Sequence, residues 1–566
     1  MSINILNSNY LKTKTMSKFK RLFIFISILL GGVLFMNDVK AYEHEVWESG
    51  GLYYWKTFNV ERGSSSDLSV AIEGAMGSGY RDIHVLTSGT LRSTLDVLQP
   101  GVRLYCHNNI FTCAFDGVGI ANRDRNGFEI YDMTLRNVTQ YGIRCTGASD
   151  LRFVNVKTVD IGWIGMRIDS RSTEPWTATI YNLYMKDCLF MNCGSHGLET
   201  YSIDGMTLEG TITARNCGEC GVLFNQSRNG YVETVDAYNC CWGGGYAGLR
   251  YANACDNITT NTLYADRCGR GFFIVQSGPT VNCHLNNAFI KQCSGLGIWI
   301  ENGINCSVKA GCCESAVSVS GSGSWANISN NCGTNCAVYQ FKNRSTGVYI
   351  DGYGRLYNGD PVSQYGNTTH VNSQWRAVDA GSGYSFLVNV GTGMKLDGYG
   401  RTTNGSVCSQ YYGSTTHFNA QWRFIDAGSG YVFIENRGTG MRLDGYGFTA
   451  NGSDLMQYHN TTHPNAQWQM VRLKSASNAT SIIDDETSAF KIFPNPVADN
   501  LYIKLPSNYN TNVSITVFNS AGARLLIRND VSAEEYNMDL SQLSSGIYYL
   551  IVSNGNQSIT QKFSKR

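Results

Sequence analysis

Gly142-Ile-Arg-Cys-Thr146, Gly165-Met-Arg-Ile-Asp169, Gly197-Leu-Glu-Thr-Tyr201, Gly221-Val-Leu-Phe-Asn225, Gly248-Leu-Arg-Tyr-Ala252, Gly271-Phe-Phe-Ile-Val275 and Gly297-Ile-Trp-Ile-Glu301 are seven copies of one phrase. Each is a glycine followed by a short alternating run. The glycines lie 23, 32, 24, 27, 23 and 26 residues apart. A period in the twenties combined with alternation every two residues predicts a stacked β-solenoid. Such a coil lets side chains from different repeats be placed beside one another. The residue after each glycine (Ile143, Met166, Leu198, Val222, Leu249, Phe272, Ile298) is apolar and is expected inside. The next residue then faces out, as does the one two further on.

Two outward columns follow. The first reads Arg144, Arg167, Glu199, Leu223, Arg250, Phe273, Trp299; the second reads Thr146, Asp169, Tyr201, Asn225, Ala252, Val275, Glu301. Coils stack about 4.8 Å apart, so Asp169 and Glu199 are expected roughly 8 Å apart at the backbone. A carboxylate pair on one face suits acid–base work on a glycan. Glu199 is the candidate proton donor, Asp169 the candidate base for water, and Tyr201 and His196 candidates for positioning sugar or moving protons. Arg144, Arg167 and Arg250 are candidates for holding sulfate or carboxylate groups. Asn225 is grouped with them for substrate binding. Trp299 is a candidate sugar platform, with Trp163 and Trp242 as further stacking rings. The long coil bulges between Arg171 and Thr179, with Glu174 and Trp176, as an expected groove wall. The same Arg-Glu-Arg column is also what an ordinary cross-strand salt ladder looks like.

Around this core, the chain of 566 residues is long enough for several domains. Gly is high at 61, Pro low at 8 and Tyr reaches 33, a mix that suits short strands and tight turns. The net charge of +1 gives no electrostatic pointer to nucleic acid or a membrane surface. Lys18 to Arg21, the apolar run Leu22 to Met36 and Val39-Lys-Ala41 read as a secretory signal peptide cleaved near Ala41, with a retained anchor as the rival. All 19 Cys lie beyond it. Cys193, Cys217, Cys240, Cys268 and Cys293 each precede a motif glycine by a few residues. They are expected as a ladder of small buried side chains, with disulfides between some pairs left open. No zinc pattern is present, and no cofactor is expected, although Ca²⁺ is left open.

The expected organisation is all-β: signal peptide 1–41; a parallel β-helix with an N-terminal cap over 42–336; a trefoil over 337–473; a linker over 474–488; and a small β-sandwich over 489–566. Ser65 to Met76 is the expected capping helix, with Leu68, Ile72 and Ala75 on one face. The trefoil rests on three repeats marked by Asp351-Gly-Tyr-Gly, Asp397-Gly-Tyr-Gly and Asp444-Gly-Tyr-Gly, each closing on Gln-Trp at Trp375, Trp422 and Trp468.

That three-repeat segment resembles the ricin-type β-trefoil lectins. The resemblance implies sugar binding by Asp351, Asp397 and Asp444, with Tyr353, Tyr399 and Tyr446 as stacking rings. The family's Gln-x-Trp is altered here: Ser373, Ala420 and Ala466 stand where Gln is expected, which puts core hydrogen bonding in question. The tail carries Phe493-Pro-Asn-Pro496, Val517-Phe-Asn-Ser-Ala-Gly522 and Leu543-Ser-Ser-Gly-Ile-Tyr548 in order. It resembles the sorting domains of the type IX secretion system of Bacteroidetes, which implies contact with that machinery and a secreted or surface-attached product. The solenoid resembles the pectin-lyase-like right-handed β-helix in architecture only; neither a pectate-lyase aspartate cluster nor the polygalacturonase motif series is present.

Together these readings predict a secreted, monomeric enzyme hydrolysing an acidic polysaccharide. A polysaccharide lyase on the same fold and a non-catalytic glycan-binding surface protein are the alternatives.

Overall fold

The computed structural model describes residues 42–77, 81–170, 179–241, 244–275, 277–332, 337–366, 370–413, 416–459, 461–473, 491–493, 497–505, 513–519, 524–531, 535–553 and 558–565. The expected signal peptide, the linker, Glu174, Trp176 and Trp242 lie outside them.

Most solenoid coils contribute one short and one long strand; the coil after Met166–Asp169 splits its long strand into Ile180–Lys186 and Leu189–Cys193. The short strands form a ten-stranded parallel sheet running from Leu95–Asp96 through Ile120–Arg123, Ile143–Thr146, Met166–Asp169, Leu198–Tyr201, Val222–Asn225, Ala247–Ala252, Arg270–Ile274 and Ile298–Ile300 to Val317–Val319. Its register joins Ile143 to Met166, Leu198, Val222, Leu249, Phe272 and Ile298 in one column. All seven are fully buried. The motif glycines have a steric cause. A Cβ on Gly142 would sit 2.4 Å from the carbonyl oxygen of Gly165, and one on Gly197 would sit 2.6 Å from that of Gly221. Successive backbones approach too closely there for any side chain.

The cysteines fill the space beside those glycines. Cys193 Sγ would lie 2.9 Å from a Cβ on Gly165. Cys193, Cys217, Cys240 and Cys268 are buried free thiols, and Cys293 is a half-buried one. The disulfide found among the described residues is instead Cys312–Cys332. Asparagines take the tight corners. Asn192, Asn216 and Asn239 have φ between 53° and 55°, and their side chains bond in series, Asn216 to Asn192 at 3.0 Å and Asn239 to Asn216 at 2.9 Å. Asn tolerates this left-handed conformation, and stacking satisfies its amide.

The cap is larger than expected. A helix does run Leu68–Met76, with Asp67 accepting from the Ser69 N–H at 3.0 Å and Leu68, Ile72 and Ala75 buried. Strands His44–Ser49, Leu52–Thr57 and Val60–Ser65 also extend the long sheet at this end, the last two antiparallel to their neighbours. Antiparallel strands end the parallel stack and leave no continuing coil edge.

The trefoil closes through its three repeats. Trp375, Trp422 and Trp468 are fully buried, and each indole N–H donates to a carbonyl, of Ile350, Leu396 and Leu443, at 2.9–3.1 Å. The altered Gln-x-Trp therefore leaves the core tryptophans paired. Gln364, Gln410 and Gln457 each donate across to another repeat, at Gly445, Gly352 and Gly398. The trefoil is docked on the long sheet of the solenoid. Arg215, 1% exposed, donates to the Val390 carbonyl at 2.9 Å and pairs with Asp236 at 2.9 Å; Asp236 also pairs with Arg376. Tyr412 Oη donates to the Cys188 carbonyl at 2.8 Å, beside Val159, Leu189, Met191 and Met394.

The tail is a separate unit. Its two antiparallel sheets share one core that includes Val497, Leu501, Ile515, Val517, Leu550 and Phe563. Among the described residues, no helix is long and apolar enough to cross a membrane.

Candidate functional site

On the outer face of the short sheet, Arg144 pairs in register with Arg167, Arg167 with Glu199, Glu199 with Leu223, and Leu223 with Arg250. Arg167 is the hub. Its Nε donates to Asp169 Oδ2 at 2.8 Å, and its Nη1 lies 3.1 Å from Glu199 Oε2. Arg144 Nη2 reaches the same Asp169 oxygen at 3.3 Å. Asn225 Nδ2 donates to Glu199 Oε1 at 3.4 Å, while its own Oδ1 accepts from Asn253 at 2.9 Å. Burial lifts the Glu199 carboxyl to about 7; Arg167 opposes the rise, and Asp169 and Glu219 add to it.

His196 Nδ1 accepts the backbone N–H of Cys220 at 3.0 Å. The proton of the neutral ring is therefore on Nε2, which lies 3.1 Å from Glu219 Oε2 and 4.0 Å from Glu199 Oε1. Burial, with the charges of Arg250 and Arg167, lowers its pKa to about 3. Ser195 Oγ donates to the same Glu219 oxygen. Aromatic rings frame the centre. Tyr141 lies against Arg144 at 4.7 Å and against Trp163 at 4.6 Å. Tyr201 faces Arg167 at 5.1 Å, and Tyr246 faces Arg250 at 5.0 Å. Further along, Phe273 stacks on Trp299 at 4.9 Å with the Arg270 guanidinium against both rings. Trp299 pairs four strands beyond Glu199, about 19 Å away at the usual spacing.

The structure thus brings together Arg144, Arg167, Asp169, His196, Glu199, Tyr201 and Asn225, with Arg250 two coils along and Trp299 at the far end. It also alters several expected roles. Asp169 is 0% exposed beneath two guanidiniums, so it has no face to offer a water and instead holds the arginines. His196 is a fixed donor, because its acceptor nitrogen is occupied. Asn225 is 2% exposed and its amide is already engaged at both ends, so it orients Glu199 rather than meeting solvent. Glu219, Tyr141 and Tyr246 were missed. Glu219 lies two residues before a motif glycine, and the backbone joins that position into its own column: Trp163 N–H to Gln140, Ser195 to Trp163, Glu219 to Ser195. That column lies four residues before the first outward column, in the turn.

In the trefoil, Asp351, Asp397 and Asp444 each accept the backbone N–H of the tyrosine two residues on, at 2.6, 2.6 and 2.7 Å. Tyr353, Tyr399 and Tyr446 adopt φ near 56° and stay 41–45% exposed. Asp397 and Tyr399 share a pocket of about 200 Å³ with Tyr411, His417 and Asn419. The repeat places Tyr365, His370 and Asn372, and Tyr458, His463 and Asn465, at the equivalent positions. These second tyrosines, histidines and asparagines were not singled out from sequence. Burial raises all three aspartates, and the paired histidine opposes the rise in each. Among the described residues, no cluster of three or more His, Cys, Asp or Glu side chains is placed to hold a metal ion.

Comparison with known proteins agrees with this architecture. Residues 141–311 match the right handed beta helix region family, 324–411 and 418–516 the ricin-type beta-trefoil lectin domain-like family, and 491–566 the secretion system C-terminal sorting domain. The chain is therefore an all-β protein joining a right-handed parallel β-helix, a ricin-type trefoil and a type IX sorting tail, and it is secreted or attached to the cell surface. Its function is carbohydrate-related. Among solved structures, a designed three-fold symmetric protein, ThreeFoil, is 34% identical over 24% of this chain and 99% of its own, with a TM-score of 0.23. An exo-beta-1,3-galactanase from Clostridium thermocellum is 30% identical over 24% of this chain and 30% of its own, TM-score 0.23. A ricin B-like lectin from Macrolepiota procera, in complex with lactose, is 21% identical over 24% and 95%, TM-score 0.21. No curated protein sequence matches the chain.

Proposed function

We propose that the short-sheet face hydrolyses a glycosidic bond in an acidic polysaccharide, while the trefoil holds the protein on that glycan. One observation carries this reading: Glu199 is a buried carboxyl whose pKa stands at about 7, set among arginines and framed by aromatic rings. A carboxyl protonated near neutral pH is what a glycosidase needs to donate to the leaving oxygen. Arg144 and Arg250 offer positive charge for sulfate or carboxylate groups, and Tyr201 and Trp163 offer ring faces. Asp169 keeps Arg144 and Arg167 aimed. Trp299 gives a distal platform. The trefoil pockets raise local concentration on a multivalent substrate.

A β-elimination reading has less support, because the base the sequence offered for it, His196, is neutral and carries its proton on Nε2. The test is a panel of pectic, alginate and sulfated algal glycans, scored for reducing ends and for ultraviolet-absorbing unsaturated product. Reducing ends alone are expected. Unsaturated product would make the protein a lyase, and binding without cleavage would make it an adhesin.

A further inference from the structure

A hydrolytic site needs a second carboxylate, and Asp169 is closed in. Glu219 stands apart from the other two acids. Its side chain is 35% exposed, against 0% for Asp169 and 5% for Glu199. It comes from the turn before the Val222–Asn225 strand and lies at the rim of the same site. Ser195 Oγ donates to one of its oxygens, and His196 Nε2 lies 3.1 Å from that same oxygen. The His196 ring is itself fixed at Nδ1 by the Cys220 N–H. The same Nε2 lies 4.0 Å from Glu199 Oε1, so the nearest oxygens of the two glutamates are no more than about 7 Å apart. That bound meets the lower end of the about 6.5–9.5 Å at which inverting glycosidases place a water between their acid and base, and it also includes the about 5–5.5 Å of retaining ones, so the anomeric outcome is part of the test.

We propose that Glu219 is the base of this site and His196 its positioning residue. The inference rests on the glycan-hydrolysing reading above. The Glu219 carboxylate takes a proton from water. The water oxygen bonds to the anomeric carbon as the glycosidic C–O bond breaks. The electron pair of that bond goes to the leaving oxygen, which takes the Glu199 proton. Glu219 then carries one proton and Glu199 none, and exchange with solvent restores both. The anomeric configuration inverts.

The glycan cut best in the panel serves as substrate, with sodium azide as the external nucleophile. Glu219→Gln keeps acceptors for Ser195 and His196 but loses the base; kcat is expected to fall about 10²–10⁴-fold with KM little changed. Glu219→Ala is expected to regain activity with azide and to yield the glycosyl azide, a response that a merely structural role would not produce. His196→Ala is expected to lower kcat less than Glu219→Gln does. Circular dichroism establishes that each variant is folded. If the unaltered protein cuts no glycan, the hydrolytic reading falls and this one with it. If it cuts but Glu219→Gln retains full activity, Glu219→Ala gains nothing from azide, or the product keeps its anomeric configuration by NMR, only the role of Glu219 falls.

Discussion

The solenoid and the trefoil both repeat, but they use repetition in opposite ways. In the solenoid the backbone recurs by translation, each coil touching only its neighbours, and the inward column is uniformly apolar while the outward one changes from coil to coil. The acid, its arginines and its histidine therefore meet once. In the trefoil the backbone recurs by rotation about a shared core, and the Asp-Gly-Tyr-Gly turn recurs with the same hydrogen bond three times. Translation with free outward positions lets one cluster of polar side chains form without being repeated in the other coils. Closure repeats one turn three times, and at the second of these turns Asp397 and Tyr399 line a pocket of about 200 Å³.

Glu199→Gln puts this difference to its hardest test. It is expected to cut kcat by about 10²–10⁴-fold and leave glycan affinity, measured by affinity electrophoresis, unchanged. A loss of affinity would mean that the solenoid, not the trefoil, holds the substrate. The seam comes next. Asp236 is buried between Arg215 and Arg376, whose charges hold its carboxyl far below the usual range despite burial. Asp236→Ala leaves the buried Arg215 and the half-buried Arg376 without this carboxylate and is expected to cost about 3–5 kcal/mol, seen as a lowered Tm. An unchanged Tm would show the two regions to be energetically independent.

Replacing all three trefoil aspartates together, Asp351→Asn, Asp397→Asn and Asp444→Asn, is expected to weaken binding to the polymer by about 10²-fold through lost multivalency, with kcat on a short soluble fragment intact. Titration separates the regions again. Glu199 binds its proton more tightly folded than unfolded, so its contribution to stability is full below pH 4.5 and is lost as pH rises through about 7. Activity is expected to fall about tenfold per pH unit above that point. Glu199→Gln should flatten the Tm profile between pH 5 and 8, leaving trefoil binding unaffected. The smallest effect is expected from Asp397→Asn alone, a few-fold in affinity; a complete loss would show that a single pocket does the binding.

Much of the fold was legible because its causes are local. The motif glycines mark where backbones nearly touch, the alternation sets which side chains enter the coil, and three equal Asp-Gly-Tyr-Gly turns announce a threefold closure. The first outward column came out in register along its length, the second is paired at Thr146–Asp169 and from Tyr201 through Asn225 to Ala252, and Glu199 was found among its arginines. The antiparallel cap strands were not found, because His44 to Ser65 carries no repeat to align. Glu219 was passed over because it lies in a turn, two positions before a glycine, where alternation has no meaning.

What the sequence determined by itself was therefore the register, since a slip of one residue would have turned every buried Ile, Leu and Phe of the column to water. What only the tertiary structure decided was the condition of each polar group in that register. Asp169 disappears beneath Arg144 and Arg167, His196 is committed as a donor by a neighbouring coil's N–H, and the trefoil docks on Arg215 and Tyr412. Those outcomes depend on side-chain paths and on groups far apart in the chain, and residue spacing carries no record of either.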